Sequence, residues 1–244
     1  MHGQTAFTAF LNQHFGGLAN SILQAVHVQP KHADAPITNA FAMEILVLFI
    51  LLAFFVLVRI SLNVEKPNAV QQVAEIIHEF VSDQAESIIG HGSQRYVLFT
   101  TCVLLFVLLG NLLGMVPGLI APTSNPTVPL GVALLTFLYY NFHGLREQGP
   151  IGYLKHFLGP IWWISWMMLP IEIISHLARI LSLTVRLYAN MFAGEMVTLV
   201  FFSLVPFAIP VIFMGLHLGV ALIQAYIFML LTMIYLAGAV AHEH

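Results

Sequence analysis

Five stretches of the chain read as membrane crossings, the third shorter than the others, and the polar positions among them are few and patterned. The first runs from Phe41 to Ile60, with Glu44 near its start and Arg59 at its end. About 20 residues at ~1.5 Å each cover the ~30 Å of a hydrocarbon layer. The second, Tyr96 to about Ile120, carries no charge, and Pro117, Pro122, Pro126 and Pro129 then mark a loop. The third, about Leu130 to Phe142, bears Tyr139 and Tyr140, which read as interface anchors. Two longer stretches, 164–204 and 207–241, close the chain. As single helices they measure about 60 Å and about 52 Å, more than the tilts common in bilayers absorb. Pro170, Pro206 and Pro210 allow kinks near their ends, whereas 171–205 contains no proline. One long, strongly inclined helix is therefore expected there, lying against another large membrane body rather than in lipid alone.

Two segments are amphipathic instead. Between the first two spans, Val70, Val73, Ile77, Phe80, Val81 and Ile88 mark one face of a helix over about 67–90. Glu75, Glu79, Asp83 and Glu86 mark another, which reads as a solvated stripe or a docking surface for a partner helix. The fragment Glu75-Ile76-Ile77-His78-Glu79 is the start of a His-Glu-x-x-His metal motif, but Ser82 stands where the second histidine belongs. Ahead of the first span, Phe7, Phe10, Leu11, Phe15 and Leu18 recur at helical spacing and predict a short helix on a membrane surface. Residues 1–38 read as neither a cleavable secretory signal nor a transit peptide.

Composition sharpens the class. Of 244 residues, 59% are apolar and 8% charged, against about 25% charged in an average soluble domain, and mean hydropathy is +0.89. A soluble enzyme and a disordered chain are excluded. Eight Lys plus Arg with a net charge of −3 build no nucleic-acid groove. A single cysteine, Cys102, inside an apolar run excludes an intrachain disulfide framework. The expected fold is an all-α polytopic membrane protein: an outer-side segment over 1–38 and one membrane domain over 39–244.

Basic residues set the expected orientation. Arg59, Lys66 and Arg95 fall between the first two spans, and Arg146 and Lys155 fall before the fourth, while 117–129 and 205–212 are uncharged. Five crossings follow, with the N-terminus outside and the C-terminus in the cytoplasm. Trp162, Trp163 and Trp166 then belong to the inner interface, where an indole keeps its N–H wet.

Ionisable groups inside a bilayer are costly, about 2.5–3.5 kcal/mol on insertion scales, and mark ion paths or paired structural sites. The fourth stretch holds Glu172, His176, Arg179, Arg186 and Glu195, with Ser175, Ser182 and Asn190. Residues 172, 176, 179, 183, 186 and 190 share one face, and all but Leu183 are polar. Glu195 lies about 13 Å beyond Arg186 on the opposite face. If the chain turns at Pro206, residue 217 pairs with 195, and that residue is His217. Gln224 shares the His217 face, one helical step from the position opposite Arg186. Gly215 and Gly219 would allow close approach of the backbones. A guanidinium stays protonated in essentially any protein environment, so it cannot relay a proton. Arg186 between two titratable pairs, Glu195 with His217 and Glu172 with His176, would block leakage. It would also attract a carboxylate carried by a moving partner and favour that group's ionised form.

The run Ser182-Leu-Thr-Val-Arg186-Leu-Tyr-Ala-Asn190-Met-Phe-Ala-Gly194-Glu195 resembles the signature of subunit a of the F-type ATP synthase membrane sector. So do Pro170-Ile-Glu172, Gly110-Asn111-Leu-Leu-Gly-Met-Val-Pro117, and His217 with Leu222-Ile-Gln224-Ala-Tyr-Ile-Phe228. The ending Ala241-His242-Glu243-His244 looks bacterial, and Gly194-Glu195 favours bacterial or plastid types. The resemblance covers about residue 40 onward. It implies an essential arginine at Arg186, an outer Glu/His pair at Glu195 and His217, an asparagine at Asn190, a glutamine at Gln224 and an inner glutamate at Glu172. It further implies a non-catalytic, proton-conducting stator subunit with two offset half-channels, seated in a bacterial inner membrane. Its partners would be a rotor ring of small hairpin c subunits, the peripheral-stalk subunit b and the rest of the complex. The two long helices would lie nearly horizontal against the ring. Asn111 resembles an outer-channel position, and where some relatives carry a carboxylate three residues later this chain has Gly114. No nucleotide is expected to bind, since no Gly-rich phosphate loop with Lys is found, and no cofactor is implied. The alternatives are a haem-binding electron carrier, for which only His176 and His217 lie well within spans and hairpin pairing sets them far apart, and an independent secondary transporter, for which no internal repeat is visible.

Overall fold

The computed structural model describes residues 5–25, 36–63, 65–90, 92–116, 118–158, 165–204 and 208–240. Its elements are helices α1 (Ala6–Ala25), α2 (Asn39–Ser61), α3 (Ala69–Ile89), α4 (Gln94–Leu113), α5 (Thr127–Leu158), α6 (Ser165–Leu204) and α7 (Ala208–Val240), with one 3₁₀ turn at Pro122–Ser124. There is no strand among the described residues, and five helices are long and apolar enough to cross a membrane. The chain is an all-α, multi-pass membrane protein. Trp162, Trp163, the expected turn at Pro206 and the 241–244 ending lie outside the described residues.

Local chemistry sets the ends. Thr38 caps α2, its Oγ1 accepting from the Phe41 N–H at 3.3 Å. Gly90 closes α3 at φ 83°, a left-handed value that glycine takes without a Cβ penalty. The short α2–α3 link is tied by Gln71, whose Oε1 accepts from the Asn63 N–H at 2.9 Å. Glu75, Glu79, Asp83 and Glu86 are all exposed on α3, while Val81 and Ala85 are buried against Val97, Met229 and Met233.

α4 and α7 form the centre. Val47 and Leu51 of α2 pack on Leu105 and Leu113 of α4. Tyr96 of α4, Tyr140 of α5, and Leu236 and Ala239 of α7 form another cluster. A helix buried this way needs no polar face, which explains the unbroken apolar run of α4. On α2, by contrast, Leu48, Phe49, Leu52, Leu57 and Ile60 remain exposed, as lipid-facing residues do.

Several sequence expectations change. α4 ends at Leu113, short of Ile120: the Met115 and Val116 N–H groups bond three residues back, to Leu112 and Leu113, and Gly118 takes φ 90°. The returning loop brings Ala121 back under the end of the helix. The third span is longer than 130–142: it starts at Thr127 and runs to a break at Gly149, where φ 71° and ψ 163° precede Pro150. Its polar end stays helical because neighbours pair with it: Glu147 with Arg95, and Gln148 with the Ala239 carbonyl at 3.0 Å. Tyr140 is not an interface anchor; it is 2% exposed. The amphipathic α1 is also more than a surface helix. Asn12 exchanges two hydrogen bonds with the Ile37 backbone, and Leu11, Ile37 and Ala42 pack together, while Phe10, Phe15 and Leu18 stay exposed.

The seam of α6 against α7 generates a stability prediction. Leu187 is 0% exposed and Leu181 is 60% exposed, on different faces of α6. Leu187→Ala is expected to cost about 2–5 kcal/mol through the cavity it leaves. Leu181→Ala is expected to leave the protein nearly unchanged, both read as thermal unfolding of the purified protein in detergent.

Candidate functional site

The buried face of α6 decides where its polar groups go. Ile180, Leu183, Leu187 and Met191 recur at three- and four-residue steps and pack on Ala221, Ala225 and Phe228 of α7 with Val103 and Val107 of α4. Ser182, Val185, Ala189 and Asn190 are consequently exposed, and Arg186 is half-buried beside them. Arg186 Nη2 donates to the Ser182 hydroxyl at 3.4 Å. The surrounding face is apolar, with Leu181, Val185, Val197 and Val200 exposed. A guanidinium bonded to its own helix on a largely apolar exposed face is the first feature of the site.

The polar stripe read from the sequence is thus divided. Leu183 lies in the core, at 3% exposure. His176 engages α5, Arg179 engages α7 and Glu172 pairs with His176, whereas Arg186 and Asn190 lie toward the open face.

Beyond Arg186, Glu195 and His217 line one cavity of about 480 Å³, together with Thr5, Gly114, Met115 and Thr198. Two glycines make this possible. A Cβ at position 194 would overlap the His217 imidazole, so only glycine lets α7 bring that ring against α6. A Cβ at 114 would stand 2.7 Å from Ala121 Cβ and 3.1 Å from Glu195 Oε1. With glycine there, the Glu195 carboxylate accepts from the Ala121 N–H at 3.1 Å. His217 is 7% exposed, and its Nε2 has no hydrogen-bond partner among the described residues. The same imidazole borders a second cavity of about 250 Å³, lined by Asn190, Gly194, Thr198 and Phe213. His217 therefore stands as the partition between the Glu195 cavity and the Asn190 face.

Asn111 does not line either cavity. It is 0% exposed, donates to the Ala221 carbonyl at 3.3 Å and accepts from the Thr123 hydroxyl at 2.7 Å. It fastens α4 to α7 and to the 3₁₀ turn, and so holds the loop that carries Ala121. Gln224 is buried at 6% on the α7 face that packs against α6.

On the other side of Arg186, about 15 to 21 Å along α6, His176 Nε2 lies 3.4 Å from Glu172 Oε1. His176 Nδ1 meets the Tyr140 hydroxyl of α5 at 2.8 Å. Arg179 lies over the Tyr235 ring of α7 at 5.1 Å. The sequence reading does not place Tyr140, Tyr235, Thr5 or the Ala121 N–H at the site. Only Tyr140 carries a signal there, as a polar-tipped aromatic inside a span, and that signal points to the interface.

The family model described as ATP synthase A chain matches residues 41–237. The ATP synthase subunit a of Koribacter versatilis is 56% identical over 244 residues, all of both chains. That of Solibacter usitatus is 46% identical over 233 residues, 96% of this chain and 99% of its own. That of Sulfurihydrogenibium is 44% identical over 179 residues, 73% of this chain and 86% of its own.

The contact at Gly194 is directly testable. In a Cys102→Ala background, Gly194→Cys with His217→Cys is expected to form a disulfide on mild oxidation, read as a linked peptide by mass spectrometry. Val185→Cys with His217→Cys is expected not to link. Failure of the first pair would remove His217 from the α6 surface.

Proposed function

We propose that this chain, which belongs to the ATP synthase A chain family and so to the membrane sector of the ATP synthase complex, is the non-catalytic stator through which protons reach and leave a rotor. The observation that carries the reading is Arg186, a fixed cation on an exposed apolar face, with a titratable pair on either side of it along one helix. The apolar face fits a ring of hairpin c subunits, each carrying a carboxylate within the membrane. Subunit b of the peripheral stalk is the second partner. The long helices α6 and α7 lie strongly inclined against the ring, as helices of about 60 Å and 50 Å must in a ~30 Å layer. The chain sits in a bacterial inner membrane with its N-terminus outside and its C-terminus in the cytoplasm.

Protons enter the Glu195 cavity from outside. At ~30 Å³ per water, that space admits a hydrogen-bonded water chain to the carboxylate. His217 passes the proton across its partition to the Asn190 side, where a ring carboxylate takes it up. A neutral carboxylic acid can travel through lipid; an ionised one cannot without a large desolvation penalty. The ring therefore carries each carboxyl group through lipid only in its protonated form. After its turn, each carboxyl group releases its proton inward past His176 and Glu172. Arg186 favours the ionised form of the arriving group and, keeping its own proton, closes the direct route between the two half-channels. Gln224, buried beside this seam, serves the same passage from α7.

Arg186→Ala is expected to abolish proton-coupled ATP synthesis in membrane vesicles; coupled synthesis at the normal rate would remove the gate. Glu195→Gln and His217→Ala are each expected to slow proton flux, and the double variant is expected to be no slower than the worse single one. Full additivity would make them separate sites. Single cysteines along 172–190 are expected to crosslink to c subunits on the Ser182–Arg186–Ala189 face alone, and crosslinking all round would take α6 off the ring.

A further inference from the structure

We infer that Tyr140 is a positioning residue of the inward proton path, holding His176 so that either of its protonation states keeps a partner. The inference rests on the reading of Glu172 and His176 as that path. Tyr140 comes from α5, a helix to which the path otherwise assigns nothing. Its hydroxyl lies 2.8 Å from His176 Nδ1, and the phenol and imidazole planes are within 18° of parallel at 5.9 Å. Phe137, one turn earlier on α5, stands edge-on to both rings, at 77° to His176 and 86° to Tyr140. The imidazole is thus held by aromatic rings on the α5 side and by Glu172 on the other, with Nε2 3.4 Å from the carboxylate.

This arrangement has a chemical consequence. When Tyr140 donates to Nδ1, the ring proton of neutral His176 must sit on Nε2, facing Glu172. When His176 takes a second proton, Nδ1–H becomes a donor, and the hydroxyl turns to accept it, because a phenol can do either. A phenylalanine could hold the same volume but could serve neither state. Exposure falls along the chain of groups, from 29% for the Glu172 side chain through 12% for His176 to 2% for Tyr140. The hydroxyl thus anchors the buried end of a relay whose other end, Glu172, is its most exposed member. Titratable groups that meet His176 include Glu172 on its own helix and Tyr140 on α5. Arg179 lies on the next turn, over Tyr235 of α7, whose ring is 5.9 Å from Tyr140.

The test uses the whole ATP synthase in inverted membrane vesicles, where the medium contacts the inner face. ATP-driven proton uptake is measured against medium pH and normalised to uncoupled ATP hydrolysis by the same vesicles. Tyr140→Phe is expected to lower uptake about 3- to 10-fold and to displace the pH profile by about one unit, the size of a lost hydrogen bond to a titrating group. Tyr140→Phe with His176→Asn is expected to be no slower than His176→Asn alone. Should Tyr140→Phe assemble poorly, 3-fluorotyrosine at 140 keeps the ring and makes the hydroxyl more acidic; a displaced profile is again expected. A normal rate and profile in these Tyr140 variants, with His176→Asn slow, would overturn the role of Tyr140 and leave the path intact. Normal rates in both Glu172→Gln and His176→Asn would overturn the path itself, and the inference with it.

Discussion

The seam between α6 and α7 is the constraint from which the other features follow. Large residues on α6, Leu183, Leu187 and Met191, meet Ala221 and Ala225 on α7, so the helices approach closely and their common face is apolar. In lipid no hydrophobic force draws two helices together, and close packing has to supply the attraction. Once that face is spent on packing, any polar residue of α6 must lie at its edge or away from it. Arg186 and Asn190 are turned toward the open side, and His176, which pairs with Glu172, toward α5. The same approach brings His217 onto Gly194, which makes one imidazole a wall shared by two cavities.

Polar clamps then fix the seam relative to the rest. Asn111 is fully buried, yet both ends of its amide are engaged, one by Thr123 and one by the Ala221 carbonyl. An amide satisfied in this way costs little to bury, whereas the same group left unpaired would cost about 1–3 kcal/mol. Through Thr123 it holds the loop whose Ala121 N–H donates to the Glu195 carboxylate. Thus a residue with no access to the cavity still determines where the cavity's acid points. On the far side, α1 is pinned to the start of α2 by Asn12, which leaves Thr5 on the cavity wall.

Much of this is legible in the sequence because lipid enforces simple rules. Runs of apolar residues locate the five long helices, and an ionisable stripe in a span locates the site. Hairpin counting pairs His217 with position 195, one residue from the Gly194 contact that the structure contains. The misreadings share a cause. The third span reads short because Arg146, Glu147 and Gln148 look like a loop until tertiary packing brings Arg95 and the Ala239 carbonyl to Glu147 and Gln148. Tyr140 looks like an anchor because the same side chain serves an interface or a buried hydrogen bond, and only the position of His176 decides which. The stripe looks uniform because periodicity reports a face and not what covers it.

Position 114 and the tip of residue 195 compete for one volume. The carboxylate of Glu195 reaches the Ala121 amide through space that a side chain at the end of α4 would fill. A Cβ there would stand 2.7 Å from Ala121 Cβ, so the loop after α4 would have to shift before any larger residue fits. The two positions are coupled through that loop: whatever fills position 114 displaces the Ala121 amide and with it the support that aims the Glu195 carboxylate.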